Sequence, residues 1–147
     1  MKILVIGYGN PGRLDDGLGP AFAEKVQAFE LPGVTVESNY QLNIEDAESM
    51  SRYDAVVFAD ASVDAPEPFE FKPLEATPPV VGFSSHSITA ESLAGLAREL
   101  FGANPRSYSM AIRGYEFNAF GEQLSGRAVQ NLAAAGEFFR SWASPVS

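Results

Sequence analysis

Two adjacent acids, Asp15 and Asp16, follow the glycine-rich stretch Gly7-Tyr8-Gly9-Asn10-Pro11-Gly12-Arg13, which is itself preceded by the apolar run Ile3-Leu4-Val5-Ile6. A loop at the carboxyl end of a buried strand is where open α/β sheets place their ligands, and a phosphate bound there needs neutral donors. Carboxylates in that position point instead to a cation. A third acid, Asp60, ends the apolar run Ala55-Val56-Val57-Phe58-Ala59, and the one histidine, His86, lies in Ser84-Ser85-His86-Ser87. If the two runs are neighbouring parallel strands, Asp16 and Asp60 come to the same rim of the sheet. With His86 they form a set of two carboxylates and one imidazole. That set suits a borderline divalent ion such as nickel or zinc and leaves coordination positions open for a substrate.

Each of these residues also has an ordinary structural explanation. A lone histidine is more often a surface or hydrogen-bonded residue than a ligand, although a loop position between serines favours function for His86. Asp60 at a strand end serves equally well as a helix cap or turn residue. Adjacent side chains on an extended or turn backbone point apart, so Asp15 and Asp16 do not both reach one ion. One of them caps backbone N–H groups or pairs with Arg13, and spacing does not choose between the two.

Two other chemistries compete for the same residues. Gly7-x-Gly9-x-x-Gly12 matches a dinucleotide fingerprint, with Glu37 at a plausible distance for a ribose contact. Against it, Pro11 removes a donor, the next helix is expected only near Pro20, and Asp15 and Asp16 would face the pyrophosphate. A serine hydrolase is the third possibility. The serines beside His86 cannot easily present a hydroxyl to that same ring, and no G-x-S-x-G elbow occurs.

The elements that must position these groups follow from the rest of the chain. At 147 residues with 46% hydrophobic content it fits one domain, 1–147, around one core. The net charge of −9 opposes binding to nucleic acid or an anionic membrane. With no cysteine, disulfides, thiolate zinc sites and a cysteine nucleophile are excluded together, which fits a reducing compartment. The N-terminal apolar run is too short for a secretory signal, and no segment approaches the ~18 apolar residues that span a bilayer. The expectation is a soluble cytoplasmic monomer.

Residues 2–6 and 55–59 read as strands buried on both faces of a parallel sheet, with Val34-Thr35-Val36 a weaker third. Pro20, Phe22, Val26 and Phe29 mark a helix that Pro32-Gly33 ends, which completes a β-α-β unit. A second helix begins at Asn43 as N-cap, with Ile44, Ala47 and Met50 as its apolar stripe. Phe69 and Phe71, alternating with Glu70 and Lys72 among prolines, predict an edge strand exposed on one face. A helix from Thr89 to Gly102 carries Leu93, Leu96 and Leu100, Tyr108–Ile112 forms the last strand, and a final helix after Ser125 buries Val129, Leu132, Gly136 and Phe139. Alternation of this kind predicts a three-layer α/β/α sandwich on a twisted, mostly parallel sheet of about five strands.

With these residues in place, the chain resembles the NiFe-hydrogenase maturation endopeptidases over nearly its whole length. The resemblance rests on Gly7-Tyr8-Gly9-Asn10, Arg13, Asp15-Asp16-Gly17 and Gly19-Pro20, then on Phe58-Ala59-Asp60-Ala61 and Ser85-His86. It continues through Ile112-Arg113-Gly114 and Phe120-Gly121-Glu122-Gln123-Leu124-Ser125. It implies a twisted sheet between helices, and a metal site formed by Asp16, Asp60 and His86. The implied activity is removal of a C-terminal extension from the hydrogenase large-subunit precursor, with nickel carried by that precursor as the recognition element. Zinc or another divalent ion is the implied occupant in isolation. Many members have Glu where this chain has Asp16, so either the loop sits closer here or the metal is held less tightly. Asn39-Tyr40-Gln41-Leu42 stands where some members carry an Asp-Gly-Gly segment, which hints at a subgroup with a different hydrogenase partner.

Overall fold

The computed structural model describes residues 1–78 and 88–144. Among them, strands β1 (Ile3–Tyr8), β2 (Val34–Asn39), β3 (Ala55–Ser62), β4 (Phe69–Pro73) and β5 (Arg106–Arg113) form one sheet in the order β2-β1-β3-β5-β4. β1 pairs in parallel with β2 and β3, β3 pairs in parallel with β5, and β4 closes the far edge antiparallel to β5. Continuous apolar runs suit β1 and β3 because helices cover both faces there. Helices α1 (Leu18–Phe29) and α4 (Gly126–Ala143) cover one face, around Val5, Phe22, Val57, Ile112 and Phe139. Helices α2 (Glu45–Met50) and α3 (Ala90–Phe101) cover the other, around Leu4, Ile6, Met50, Phe58 and Leu93. The three-layer α/β/α sandwich is therefore the observed architecture.

Local signals set most of the boundaries. Thr89 caps α3 by accepting from Ser92 N at 3.0 Å, Ser125 caps α4 by accepting from Ala128 N at 3.3 Å, and Gly102 ends α3 in the left-handed conformation. The edge strand β4 packs Phe71 between Tyr108 and Trp142, with ring centroids 5.2 Å apart in both cases.

Three apolar residues expected inside are outside. Ile44 is 60% exposed because it sits at the N-cap position of α2, and only Ala47 and Met50 turn inward. Leu100 is 62% exposed, since the buried stripe of α3 ends at Ala97 and its last turn runs past the core. Val129 is 51% exposed because the inward stripe of α4 runs through Ala128, Asn131, Ala135 and Phe139, one residue out of register with it. The strands are also longer than expected, β2 running on to Asn39 and β5 from Arg106 to Arg113.

One packing detail positions the site. Helical winding starts before Pro20: a 3-10 turn over Leu14–Gly17 leads directly into α1. A Cβ on Gly7 would lie 2.2 Å from Gly19 O, and one on Gly19 would lie 2.2 Å from Tyr8 O. Backbone therefore packs on backbone where α1 crosses the carboxyl end of β1, and the 3-10 turn with its two acids is pressed onto the rim of the sheet. Among the described residues, no helix is long and apolar enough to cross a membrane.

Candidate functional site

The two neighbouring acids have separate tasks. Asp15 is buried and saturated with donors: Oδ2 accepts from Tyr115 N at 2.8 Å, Glu116 N at 3.0 Å and Ser125 Oγ at 2.7 Å, while Oδ1 accepts from Ser125 N at 2.8 Å. Burial alone would raise its pKa, but these bonds, led by the Ser125 amide, outweigh burial and hold it below the usual carboxylate value. Asp15 thus ties the first loop to the segment entering α4 and has no lone pair aimed at a ligand. Arg13 is not its partner; that residue forms an isolated bridge with Gly121.

Asp16 points the other way. Its Oδ2 accepts from Asn10 N at 2.9 Å, and the residue lines a cavity of about 210 Å³ together with Tyr8, Gly9, Tyr40, Gln41, Leu42, Asp60, Ala61 and Ile88. Asp16 and Asp60, 44 positions apart in the sequence, share this cavity at the carboxyl ends of neighbouring strands. Burial raises the Asp60 carboxyl to about 6, with the Tyr8 hydroxyl opposing the shift and the negative charges of Asp16 and Glu91 adding to it. Burial, then the Asp60 charge, pushes the Tyr8 phenol above its ordinary range, so it stays a neutral donor. The cavity therefore combines one carboxylate fixed by a backbone amide, one carboxyl that gains and loses a proton close to neutral pH, and one phenol. Such a group can grip a cation or exchange a proton with bound water.

His86, the third residue expected here, lies outside the described residues. Ile88, two positions after it in the sequence, lines the cavity. Among the described residues, no three His, Asp or Glu side chains converge as a metal-binding group. Glu37, the acid the dinucleotide reading needs, lies within β2 paired with Ile6, where burial and then the charge of Asp46 raise its carboxyl against the opposing pull of Arg52.

Tyr8 and Glu91 escaped the sequence reading. Tyr8 stands between two glycines at a strand end, where a large phenol is out of character for a tight turn, and that was the available signal. Glu91 in the first turn of α3 gave none, because acids are ordinary there.

Neither protein-family models nor curated proteins match the sequence. Solved structures do match. The hydrogenase maturation protease HycI from Thermococcus kodakarensis superposes with a TM-score of 0.72 at 21% identity, over 95% of this chain and 90% of that one. A hydrogenase 2 maturation peptidase from a Thaumarchaeota archaeon gives 0.70 at 21% identity, over 97% of both chains. The chain has the fold of the hydrogenase maturation proteases. The maturating endopeptidase HybD from E. coli shows the same maturation-protease fold with a TM-score of 0.70 at 18% identity, over 97% of this chain and 91% of that one.

Proposed function

We propose that this protein is an endopeptidase that removes the C-terminal extension of a NiFe-hydrogenase large-subunit precursor, with nickel already in the precursor as the recognition element. The observation that carries this reading is the shared cavity of Asp16 and Asp60, with Asp15 withdrawn into a structural role. The likeness to proteins named as maturation proteases supports it.

The donor chemistry fits a divalent ion that arrives with the substrate. Asp60 is raised in pKa because it is buried beside Asp16 and Glu91, and a cation between the two aspartates relieves that repulsion. His86 would add the imidazole that a borderline ion such as nickel prefers to an all-oxygen site. In isolation, the same donors would take zinc or another divalent ion.

In the proposed reaction, Asp16 is held by the Asn10 amide and orients the bound segment. Asp60 is mostly ionised at neutral pH and accepts a proton from water as the water oxygen adds to the peptide carbonyl. The tetrahedral adduct then breaks at the C–N bond, and the proton passes from Asp60 to the departing amine. Tyr8 remains neutral and keeps the Asp60 carboxylate in place. On this reading the protein works in the cytoplasm, as a monomer that meets the precursor before the mature hydrogenase assembles.

The test is incubation with nickel-loaded and nickel-free precursor, followed by mass measurement of the large subunit. Loss of a C-terminal peptide from the loaded form alone is the expected result. A folded preparation that cleaves neither form overturns the proposal, and binding without cleavage would leave a metal- or nucleotide-binding module.

A further inference from the structure

The carboxylate-lined cavity is one end of a longer track. Gly9 and Tyr40 line both this cavity and a second of about 280 Å³. Pro11, Pro20 and Ser38 in turn line both the second and a third of about 560 Å³. The third lies between α1 and strand β2, lined by Ala21, Glu24 and Gln27 on one side and Val36 and Ser38 on the other.

Among the described residues, β2 is an edge strand, bonded within the sheet to β1 alone. On that bonded side, Ile3 N donates to Gly33 O at 2.9 Å and Gly9 N donates to Asn39 O at 3.1 Å. Backbone groups alternate in direction along a strand, so the N–H and C=O of Val36 and Ser38 turn toward the open edge. The same two residues line the large cavity. A chain laid along this edge gains main-chain bonds and a receptacle for every second side chain at once.

We propose that this edge binds an extended segment of the substrate polypeptide, added beside β2 as a further strand, which carries the scissile bond on to Asp16 and Asp60. The inference rests on the endopeptidase reading above. Glu24 and Glu122 line the cavity and, among its described lining residues, no Lys or Arg does, so the side chains it accepts are basic. The same acids, with a net charge of −9, disfavour a second copy of this chain in that place. Strands lie ~4.8 Å apart, so an added strand is ~12 Å from the gap between β1 and β3, and at ~3.3 Å per residue about four residues make the crossing. The basic side chains therefore lie at least about four residues from the cut bond.

Steady-state cleavage of the nickel-loaded precursor by Ser38→Pro tests the strand contact, because proline removes an outward N–H and leaves the bonds to β1 intact. KM is expected to rise about tenfold while kcat stays within about threefold of wild type. The double variant Glu24→Lys/Glu122→Lys reverses the charge of the cavity without touching the backbone, is expected to raise KM similarly, and decides the matter if Ser38→Pro does not fold. Unchanged KM in the folded variants, with wild type cleaving, overturns the groove and leaves the endopeptidase standing. A folded wild type that cleaves nothing removes both. A dimer of the enzyme alone that Ser38→Pro dissociates would put a second copy on the edge and also overturn the proposal.

Discussion

Asp15 and Ser125 lie 110 positions apart and are joined twice, the Ser125 amide donating to Oδ1 at 2.8 Å and its hydroxyl to Oδ2 at 2.7 Å. The same hydroxyl accepts from Ala128 N and so caps α4. One carboxylate therefore links the loop carrying Asp16 to the start of the last helix. The position of Asp16 thus depends on a neighbour that is itself fully buried.

Asp15→Ala should accordingly damage folding before chemistry. It leaves the amides of Tyr115, Glu116 and Ser125 without their acceptor in a buried place, for a loss of about 3 kcal/mol or more in urea unfolding. The pH dependence has a defined sign. A carboxyl held below its ordinary 3.8 contributes stability that is complete above that value and is lost as pH falls through the folded-state pKa. Wild type should therefore lose stability on acidification below 3.8, and Asp15→Asn should show a shallower loss over the same range. Equal acid sensitivity in the two proteins would contradict the role given to Asp15.

Asp60 should behave oppositely. Its folded-state pKa of about 6 lies above the ordinary 3.8, so ionisation costs stability fully above pH 6 and the cost fades as pH falls toward 3.8. In metal-free protein, Asp60→Asn is expected to stabilise by about 1–2 kcal/mol at pH 8, with little difference at pH 4. Precursor cleavage should be abolished in the same variant, the usual relation between a strained site and its function. Urea unfolding at the two pH values checks this, and a destabilised Asp60→Asn at pH 8 would show that the carboxylate is better satisfied than its burial implies.

Two glycine substitutions separate backbone strain from empty space. Gly9 has φ +143°, and a Cβ there would lie 2.2 Å from Asp16 O. Gly9→Ala should cost about 2–4 kcal/mol and displace the Asp16 turn, with activity falling alongside. Gly126 opens α4 with nothing within 4 Å of the corresponding Cβ. Gly126→Ala should stabilise by about 0.5–1 kcal/mol and leave cleavage unaltered. Thermal melts of the pair give the comparison.

Strand runs and the boundaries of the last two helices were legible because each depends on residues close in sequence. The apolar runs of β1 and β3, Thr89, Ser125 and Gly102 all act within a few positions of themselves. The division of labour between Asp15 and Asp16 was not legible, since it depends on amides a hundred or more positions away that only folding brings near. Helix rotation was misjudged at Val129 for a related reason. Ala128 and Asn131 read as weak core formers, yet packing against β5 and α1 selects them, and the larger Val129 is left outside. Tyr8 was hidden by the glycines around it, whose pattern first suggests a nucleotide loop.

The remaining prediction concerns the length of the first-loop carboxylate. Asp16 has Oδ2 fixed by the Asn10 amide at 2.9 Å, in a cavity of about 210 Å³ that leaves space ahead of it. Asp16→Glu advances the carboxylate by ~1.5 Å, one C–C bond, into that cavity. Cleavage of the nickel-loaded precursor should persist within about tenfold, whereas Asp16→Asn and His86→Ala should abolish it with stability changed by about 0.5 kcal/mol for His86→Ala. Side-by-side cleavage assays with unfolding controls make the comparison. If Asp16→Glu is as inactive as Asp16→Asn while both fold, the position of the carboxylate matters more than its charge, and the substrate's ion must be held directly against the loop.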